Sequence, residues 1–498
     1  MSDELRATGG ERRAASDGRR AASCELRATG DERRATSDGR ATRDRRQAAG
    51  LAAALRLTLP LALAIVGPFA AHAQVRPSQV QRPTPPQIQI TYAIRNATII
   101  PVSGPRIENG TVLISAGRIE SVGPNITIPS SAQIIDGTGL FVYPGMIDSG
   151  TELGLTEIGS VPGGEDTREI GDFNAQNDAL VAVNAHSELI PVTRVNGVTT
   201  VITSATGGLV AGGAALIDLV GWTPNAMAVR SPVAMVMTYP TSAAGGGGFG
   251  GFGQPQQSAS ERREQQSRQA RALRSFLADA KAYMDVKSRA SANGGRSTSR
   301  VNQAMEAMIP VLRGELPVLF DVNTADQIRG VLSLADSFRI KPIIRGAREA
   351  WRLADSLAAR KIPVIVGPLT QAPGAEDPYD MIYANPGVLA KAGVKIAFQT
   401  SDASNSRNLP YNAALATAYG LSPEEALKAI TLNPAEIFGV ADRYGSIAPG
   451  KVANVIVTTG DPLDVRSVVK HLFIRGEQVP LTDRHTKLYE QFKARPRQ

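Results

Sequence analysis

The chain has 498 residues, of which 42% are hydrophobic and 20% are charged, so it can form sizeable cores and is not disordered throughout. Its net charge of +8 comes from 54 basic and 46 acidic residues. Residues 1–56 hold 13 arginines and 9 acidic residues, which leaves 41 basic and 37 acidic residues for the remainder. Because an excess of only +4 over some 440 residues makes no basic patch, we expect no nucleic acid as a partner.

Residues 1–73 are predicted to be a low-complexity leader followed by a signal peptide. The segment Glu4–Gly9 recurs as Glu25–Gly30 without apolar periodicity, and whether residues 1–50 are translated stays open. After several arginines come the apolar run Leu57–Phe69 and the small-residue site Ala71–Ala73, which is the pattern of a secretory signal. The run is too short for a stable membrane span. We therefore expect cleavage after Ala73 and a periplasmic or secreted protein.

The two ends of the remaining chain are predicted to form one small β-sandwich. Residues 74–88 are rich in proline and glutamine and indicate an extended linker. Short β-rich runs separated by turn residues fill 89–143, and strand-like runs return over 441–482. Residues 483–498 form a basic tail.

Residues 144–440 alternate short buried strands with helices, which is typical of a parallel α/β barrel. A Gly-rich stretch and a Ser-rich stretch enclose a long charged helix, which indicates an insertion near 243–300. Two glycine pairs, Gly207–Gly208 and Gly212–Gly213, indicate a tight loop at the mouth of the barrel or, as an alternative, a place where the backbone approaches a ligand.

Metal-binding side chains are scarce. Cys24 is the single cysteine and lies in the leader, so the mature protein forms neither a disulfide nor a thiolate metal site. Of the four histidines, His72 also lies in the leader. The other three, His186, His471 and His485, fall in a predicted helix and in the C-terminal sheet and tail, where we expect structural or surface roles.

Four motifs carry a family resemblance. They are Tyr143–Asp148, Asn196–Val201, Thr431–Ala435 and Gly445–Lys451. In this order and spacing they resemble the amidohydrolase superfamily, in particular its secreted, imidazolonepropionase-like branch. The resemblance implies a distorted (β/α)8 TIM-like barrel inserted into a small β-sandwich, a composite domain that agrees with the strand and helix pattern.

The resemblance also implies a site. Active members of the family carry His-x-His directly after the first motif, further histidines on the fifth and sixth strands, and an aspartate after the eighth strand. Here Gly150 and Glu152 stand at the first two positions, and Asp402 is the matching aspartate and the candidate catalytic residue. The predicted mouth of the substrate pocket contains Asp148, Gly150, Glu152, Asp321, Asn323 and Arg345.

The family chemistry is metal-assisted hydrolysis of carbon–nitrogen bonds in small non-peptide or dipeptide amides. Because three histidines are too few for the family's binuclear site, the leading hypothesis is an inactive or weakly active protein without a cofactor. It would take a small-molecule ligand or pair with a related active amidohydrolase subunit. Two alternatives stay open, a working hydrolase that binds a divalent metal through Glu152, Asp321 and Asp402, and an envelope small-ligand-binding or scaffold protein. The oligomeric state also stays open.

Overall fold

A computed structural model describes residues 90–159, 161, 163–242, 258–292, 300–373 and 377–495, with the side chains of residues 291 and 292 excepted. The predicted leader, the linker and the Gly-rich stretch 243–254 lie outside the described residues.

The described strands, in chain order, are β1 Tyr92–Ile99, β2 Ile107–Ser115, β3 Arg118–Gly123, β4 Gln133–Asp136, β5 Phe141–Pro144, β6 Met146–Thr151, β7 Val198–Thr203, β8 Val210–Asp218, β9 Ala228–Thr238, β10 Val318–Val322, β11 Pro342–Gly346, β12 Val364–Val366, β13 Ile396–Phe398, β14 Val455–Thr458, β15 Val469–Ile474 and β16 Glu477–Gln478. The α-helices are α1 Ala179–Ala182, α2 Leu189–Arg194, α3 Pro224–Met227, α4 Ala259–Ala292, α5 Gln303–Leu312, α6 Ala325–Phe338, α7 Ala354–Ala359, α8 Met381–Lys391, α9 Leu409–Thr417, α10 Pro423–Ala429, α11 Leu432–Ile437 and α12 Arg484–Lys493.

The first sheet joins strands from the two ends of the described chain. Its order is β16-β15-β14-β5-β1-β2-β3, with β4 paired to β1. The central connection is antiparallel pairing of β14 with β5, in which Val455 lies opposite Pro144. Buried side chains such as Ile94, Ile114 and Phe473 form its core, because alternate residues of each strand point to the same face.

The second sheet is an eight-stranded, nearly closed barrel with the order β6-β7-β8-β9-β10-β11-β12-β13. Its two end strands meet at the mouth, where the backbone N–H of Ser401 donates to the carbonyl of Gly150 at 2.9 Å. The predicted fold class, a TIM-like barrel with a β-rich domain, is therefore confirmed. Within the described residues, no helix is both long and apolar enough to cross a bilayer.

One barrel strand runs against the others. Strand β8 pairs antiparallel with both β7 and β9, whereas the other neighbouring barrel strands pair parallel. The prediction that Gly212–Gly213 lies in a loop is wrong, because both residues belong to β8. A side chain at Gly212 would collide with the backbone carbonyl of Asn177, since its Cβ would lie 2.7 Å from that oxygen. The glycine therefore marks a close approach of two backbones.

The buried carboxylate of Asp218, at the end of β8, fixes the C-terminal segments to the barrel. It accepts hydrogen bonds from the Thr200 hydroxyl at 3.0 Å, the Tyr444 hydroxyl at 3.0 Å and the Asn454 amide at 2.8 Å. Arg475 completes the set, because its Nε donates to the same carboxylate at 2.6 Å. A buried carboxylate needs such partners, since burying an unpaired charge is costly.

Candidate ligand-binding site at the barrel mouth

A cavity of about 210 Å³ opens at the carboxyl ends of the barrel strands, the end at which barrel enzymes bind their ligands. Strands β6, β10 and β11 contribute residues at their ends or directly after them, and the segments that follow β7, β12 and β13 contribute the rest. The lining consists of Gly150, Thr151, Glu152, Ser204, Thr206, Asp321, Val322, Asn323, Arg345, Gly346, Gly367, Pro368, Gln371, Gln399 and Ser401.

A buried ion pair occupies one wall of this cavity. Arg345 is only 5% exposed, and its Nη2 donates to Asp321 Oδ2 at 2.7 Å while its Nε donates to the other carboxylate oxygen. The Nη1 atom donates to the Ser204 hydroxyl at 2.8 Å. The pair follows from the parallel register of β10 and β11, in which Asp321 lies directly beside Arg345. Such a two-point arginine–carboxylate contact fixes both side chains.

Gly150 leaves room for the side chain of Gln399. A Cβ atom at Gly150 would lie 2.4 Å from Gln399 Oε1 and 3.4 Å from Arg345 Nη1. The Gln399 amide is held in this place by its Nε2, which donates to the carbonyl of Gly367 at 2.8 Å. The space next to Gly150 is therefore filled by an amide and a guanidinium.

Glu152 is the other carboxylate of the lining besides Asp321. Its side chain is half-buried, and the Thr206 hydroxyl donates to it at 3.4 Å. Burial raises the pKa of the Glu152 carboxyl above its ordinary value, and the carboxylates of Asp402 and Glu165 add to the rise. This carboxyl therefore gives up its proton less readily than an exposed glutamate.

Asp148 lies beneath the cavity and does not line it. Its fully buried carboxyl accepts hydrogen bonds from the backbone of Gly150 at 3.1 Å, from the backbone of Thr400 at 3.2 Å and from the Thr400 hydroxyl. Burial raises its pKa to about 7, against the opposing effect of these hydrogen bonds. Asp148 thus ties the first barrel strand to the segment that follows the last one.

Asp402 is exposed and is not among the residues that line the cavity. Its carboxylate caps the short 3₁₀ helix Ala403–Asn408 by accepting from the backbone of Ser404 at 2.6 Å and of Asn405 at 3.2 Å. The preceding residue, Ser401, has a φ of 63° and lines the cavity in its place. A catalytic role for Asp402 stays a prediction.

The three histidines outside the leader lie far apart in the fold. His186 is exposed near Trp222, His471 is on β15 beside Gln478, and His485 is on α12 beside Arg407. The cavity lining contains no histidine. Sequence reasoning placed Gly150, Glu152, Asp321, Asn323 and Arg345 at the mouth, and all five line the cavity. It missed the hydroxyl and amide residues Ser204, Thr206, Gln371, Gln399 and Ser401. Their only signal is that each comes within five residues of the end of a barrel strand.

Comparison with known proteins places this cavity in a family context. Residues 381–479 match the model of the amidohydrolase family. Over this stretch, about a fifth of its length, the chain is similar to amidohydrolase family domains. The crystal structure of an amidohydrolase from Thermotoga maritima MSB8 is 29% identical, covers 78% of this chain and 99% of that one, and superposes with a TM-score of 0.69.

Two curated relatives match over short segments. Adenine deaminase 1 from Bradyrhizobium sp. (strain ORS 278) is 39% identical over 88 residues, which are 15% of this chain and 14% of the relative. The 5-methylthioadenosine/S-adenosylhomocysteine deaminase of Moorella thermoacetica is 33% identical over 70 residues, which are 14% of this chain and 16% of the relative. The chain thus matches only a small part of the length of either deaminase.

Amidohydrolases usually bind a divalent metal at this end of the barrel, but the side chains present here do not fit one. Both oxygens of Asp321 face the guanidinium of Arg345, which is permanently charged and would repel a cation. Among the described residues, no group of three or more His, Cys, Asp or Glu side chains could hold a metal ion. Glu152 is the one carboxylate of the lining without an arginine partner.

The raised pKa of Asp148 predicts a pH-dependent stability. Because its pKa rises from an ordinary value of 3.8 to about 7 on folding, the folded chain binds more protons between these values. Its contribution to the free energy of unfolding is largest below pH 4 and is lost as the pH rises to 7. Over this range we expect the free energy of unfolding of the wild type to fall by roughly 2–4 kcal/mol relative to that of Asp148→Asn, which does not titrate there. Urea titrations at several pH values measure it, and a difference independent of pH would contradict it.

Histidines placed at the two family positions are not expected to create a zinc site. In the double variant Gly150→His with Glu152→His, the new Cβ at residue 150 collides with Gln399, and Arg345 remains beside the site. A catalytic zinc ion needs about three protein ligands and an open position, and only two are supplied. We expect no stoichiometric zinc by calorimetry and no hydrolysis of N-acyl amino acids or Xaa-Pro dipeptides.

The single variants separate the effect of the collision at residue 150 from the effect of the substitution at residue 152. Glu152 already lines the cavity, so Glu152→His should unfold at nearly the wild-type temperature, whereas Gly150→His should unfold several degrees lower. Tight zinc binding with turnover by the double variant would show that the remaining ligands are present.

Proposed function

We propose that this chain is an exported, amidohydrolase-fold protein that binds a small polar ligand at the barrel mouth and does not carry out the family's metal-dependent hydrolysis. The observation that carries the proposal is the buried pair of Arg345 and Asp321 in the cavity wall. The pair puts a guanidinium, whose charge Asp321 balances, at the end of the barrel where this family holds its metal.

The charge balance of the cavity supports this proposal. Arg345 and Asp321 neutralise each other, so the net charge of the lining comes from Glu152 alone. A divalent cation has a large hydration energy and binds where several carboxylates or imidazoles replace its water. One half-buried carboxyl with a raised pKa is a weak replacement.

The donors and acceptors of the lining suit a small polar organic molecule. A guanidinium has five N–H groups, and the contacts to Asp321 and Ser204 use three of them. The other two, with the amides of Asn323 and Gln371, are available to a ligand's oxygen or nitrogen acceptors. A volume of about 210 Å³ holds a compact metabolite and not an extended polymer.

The family relationship sets the kind of ligand to test first. Its chemistry is cleavage of carbon–nitrogen bonds, and the curated relatives are named for deamination of adenine and of 5-methylthioadenosine or S-adenosylhomocysteine. The four motifs also support placement in the imidazolonepropionase-like branch. We propose loss of the metal-binding histidines within that branch, and a role either as a ligand binder or as the partner of a related active subunit.

Metal content and turnover test the proposal together. We expect the protein purified from its native compartment to hold far less than one equivalent of Zn, Mn, Mg or Ca by elemental analysis. It should not hydrolyse N-acyl amino acids, Xaa-Pro dipeptides, adenine or 5-methylthioadenosine, while unreacted members of the panel can still raise its unfolding temperature by binding.

Two variants test whether a ligand binds at Arg345. Arg345→Met removes the charge from the cavity, and Arg348→Met removes a neighbouring arginine whose partner is Asp377 outside the lining. A thermal shift by a ligand should disappear in the first variant and persist in the second. Stoichiometric metal in the wild type, with turnover abolished by chelator, would establish the working hydrolase instead.

Export is the second part of the proposal and rests on the signal pattern before Gln74. Mass spectrometry of the protein recovered from its native host should find the N-terminus at Gln74 or within a few residues of it. Recovery of an intact chain that begins at Met1 from the cytoplasm would contradict it.

A further inference from the structure

The C-terminal helix α12 begins at a buried cap and is exposed along its described length. Asp483 is buried and caps the helix, since its carboxylate accepts from the backbone N–H of Thr486 at 2.7 Å. Every described residue from 484 to 495 is exposed. A helix of 10 residues is marginal in water unless one of its faces is packed. The helix is therefore short of the tertiary contacts that usually stabilise one.

Its uncovered apolar side chains lie on a single face. Leu488, Tyr489 and Phe492 are 39%, 62% and 49% exposed. At about 100° per residue these three positions fall within an arc of roughly 100° of the helix circumference. That arc is as wide as the stripe with which a surface helix normally packs on a core.

Arg484 and Lys493 border this apolar face, and Lys487 lies on the opposite side of the helix. The segment carries Arg484, Lys487, Lys493 and Arg495 against one acidic residue, Glu490. Lys493 Nζ lies 5.5 Å from the centre of the Tyr489 ring, and the Arg495 guanidinium lies 4.2 Å from the centre of the Phe492 ring. Aromatic rings flanked by lysine and arginine on a short amphipathic helix are typical of helices that lie in a membrane interface.

We propose that α12 lies on an anionic lipid surface, with Leu488, Tyr489 and Phe492 inserted between headgroups and the basic residues that border this face paired with lipid phosphates. Two features favour a membrane over a second copy of the chain. Three partly exposed side chains fall far short of the roughly 1,600 Å² that a stable protein interface buries. In addition, two copies of this positively charged helix would repel each other. The proposal does not depend on what the cavity binds.

Hydrogen exchange of the α12 amides in the full chain tests the proposal locally, so binding by other segments does not interfere. The probes are vesicles of phosphatidylglycerol and phosphatidylcholine in equal parts, and vesicles of phosphatidylcholine alone. We expect exchange over residues 484–495 to slow by at least about tenfold with the anionic vesicles only. The protection should weaken in 0.5 M salt, since screening shortens the reach of exposed charges.

Variants of α12 that change its charge or remove an aromatic ring are compared with matched control variants elsewhere in the chain. Arg484→Glu with Lys487→Glu reverses two charges in the first helical turn, where acidic residues favour the helix, so any loss of protection reports lipid binding and not unwinding. Phe492→Ser removes the ring. The controls are Lys281→Glu on the exposed helix α4 and Tyr379→Ser, which removes another exposed aromatic ring. We expect both changes in α12 to abolish protection and both controls to keep it.

Three outcomes would overturn the proposal. They are unchanged exchange with anionic vesicles, equal protection by both kinds of vesicle, and protection that grows with protein concentration in the absence of lipid. The last result would show that α12 contacts another copy of the chain.

Discussion

The barrel mouth depends on the contact in which Asp148 joins the first strand to the segment after the last one. Its carboxyl binds the backbone of Gly150 on one side and Thr400 on the other, next to the backbone hydrogen bond from Ser401 to Gly150. Strands β13 and β6 are adjacent without a continuous ladder between them. At this seam between β13 and β6, the carboxyl of Asp148 therefore helps to join strands that are held elsewhere in the barrel by continuous backbone pairing. The cavity lies at the seam.

The charge next to this seam decides what the cavity can do. In a metal-dependent barrel the strand ends supply anionic or imidazole ligands, and water is activated by the cation they hold. Here a guanidinium supplies the positive charge from the protein itself. It can orient and bind an acceptor group, but it offers no exchangeable position for water. The fold resembles that of the Thermotoga maritima amidohydrolase, whereas among the described residues the cavity lining presents a guanidinium and no cluster of metal ligands.

Much of this arrangement could be predicted from the sequence. The alternation of strands and helices and the four motifs gave the fold class, and parallel strands end at one edge, so Glu152, Asp321 and Arg345 were expected together. The contact between Asp321 and Arg345 was not predictable, because it depends on the register of β10 against β11. Nor was the role of Asp402 as the cap of a short 3₁₀ helix, directly after the left-handed backbone of Ser401. The antiparallel β8 was missed because its glycines indicate a loop until the close passage of Asn177 is known.

The pairing of β5 with β14 has a consequence for how the chain reaches this structure. The two strands lie on opposite sides of the whole barrel in the sequence, and β14 stands between β5 and β15. During synthesis the edge of β5 stays open until the last strands have emerged, and contacts between such distant segments form slowly. Asp218 likewise accepts its hydrogen bonds from Tyr444, Asn454 and Arg475 only after these late segments have been made. The N-terminal strands thus complete their sheet only once β14 and the segments that follow it have been made.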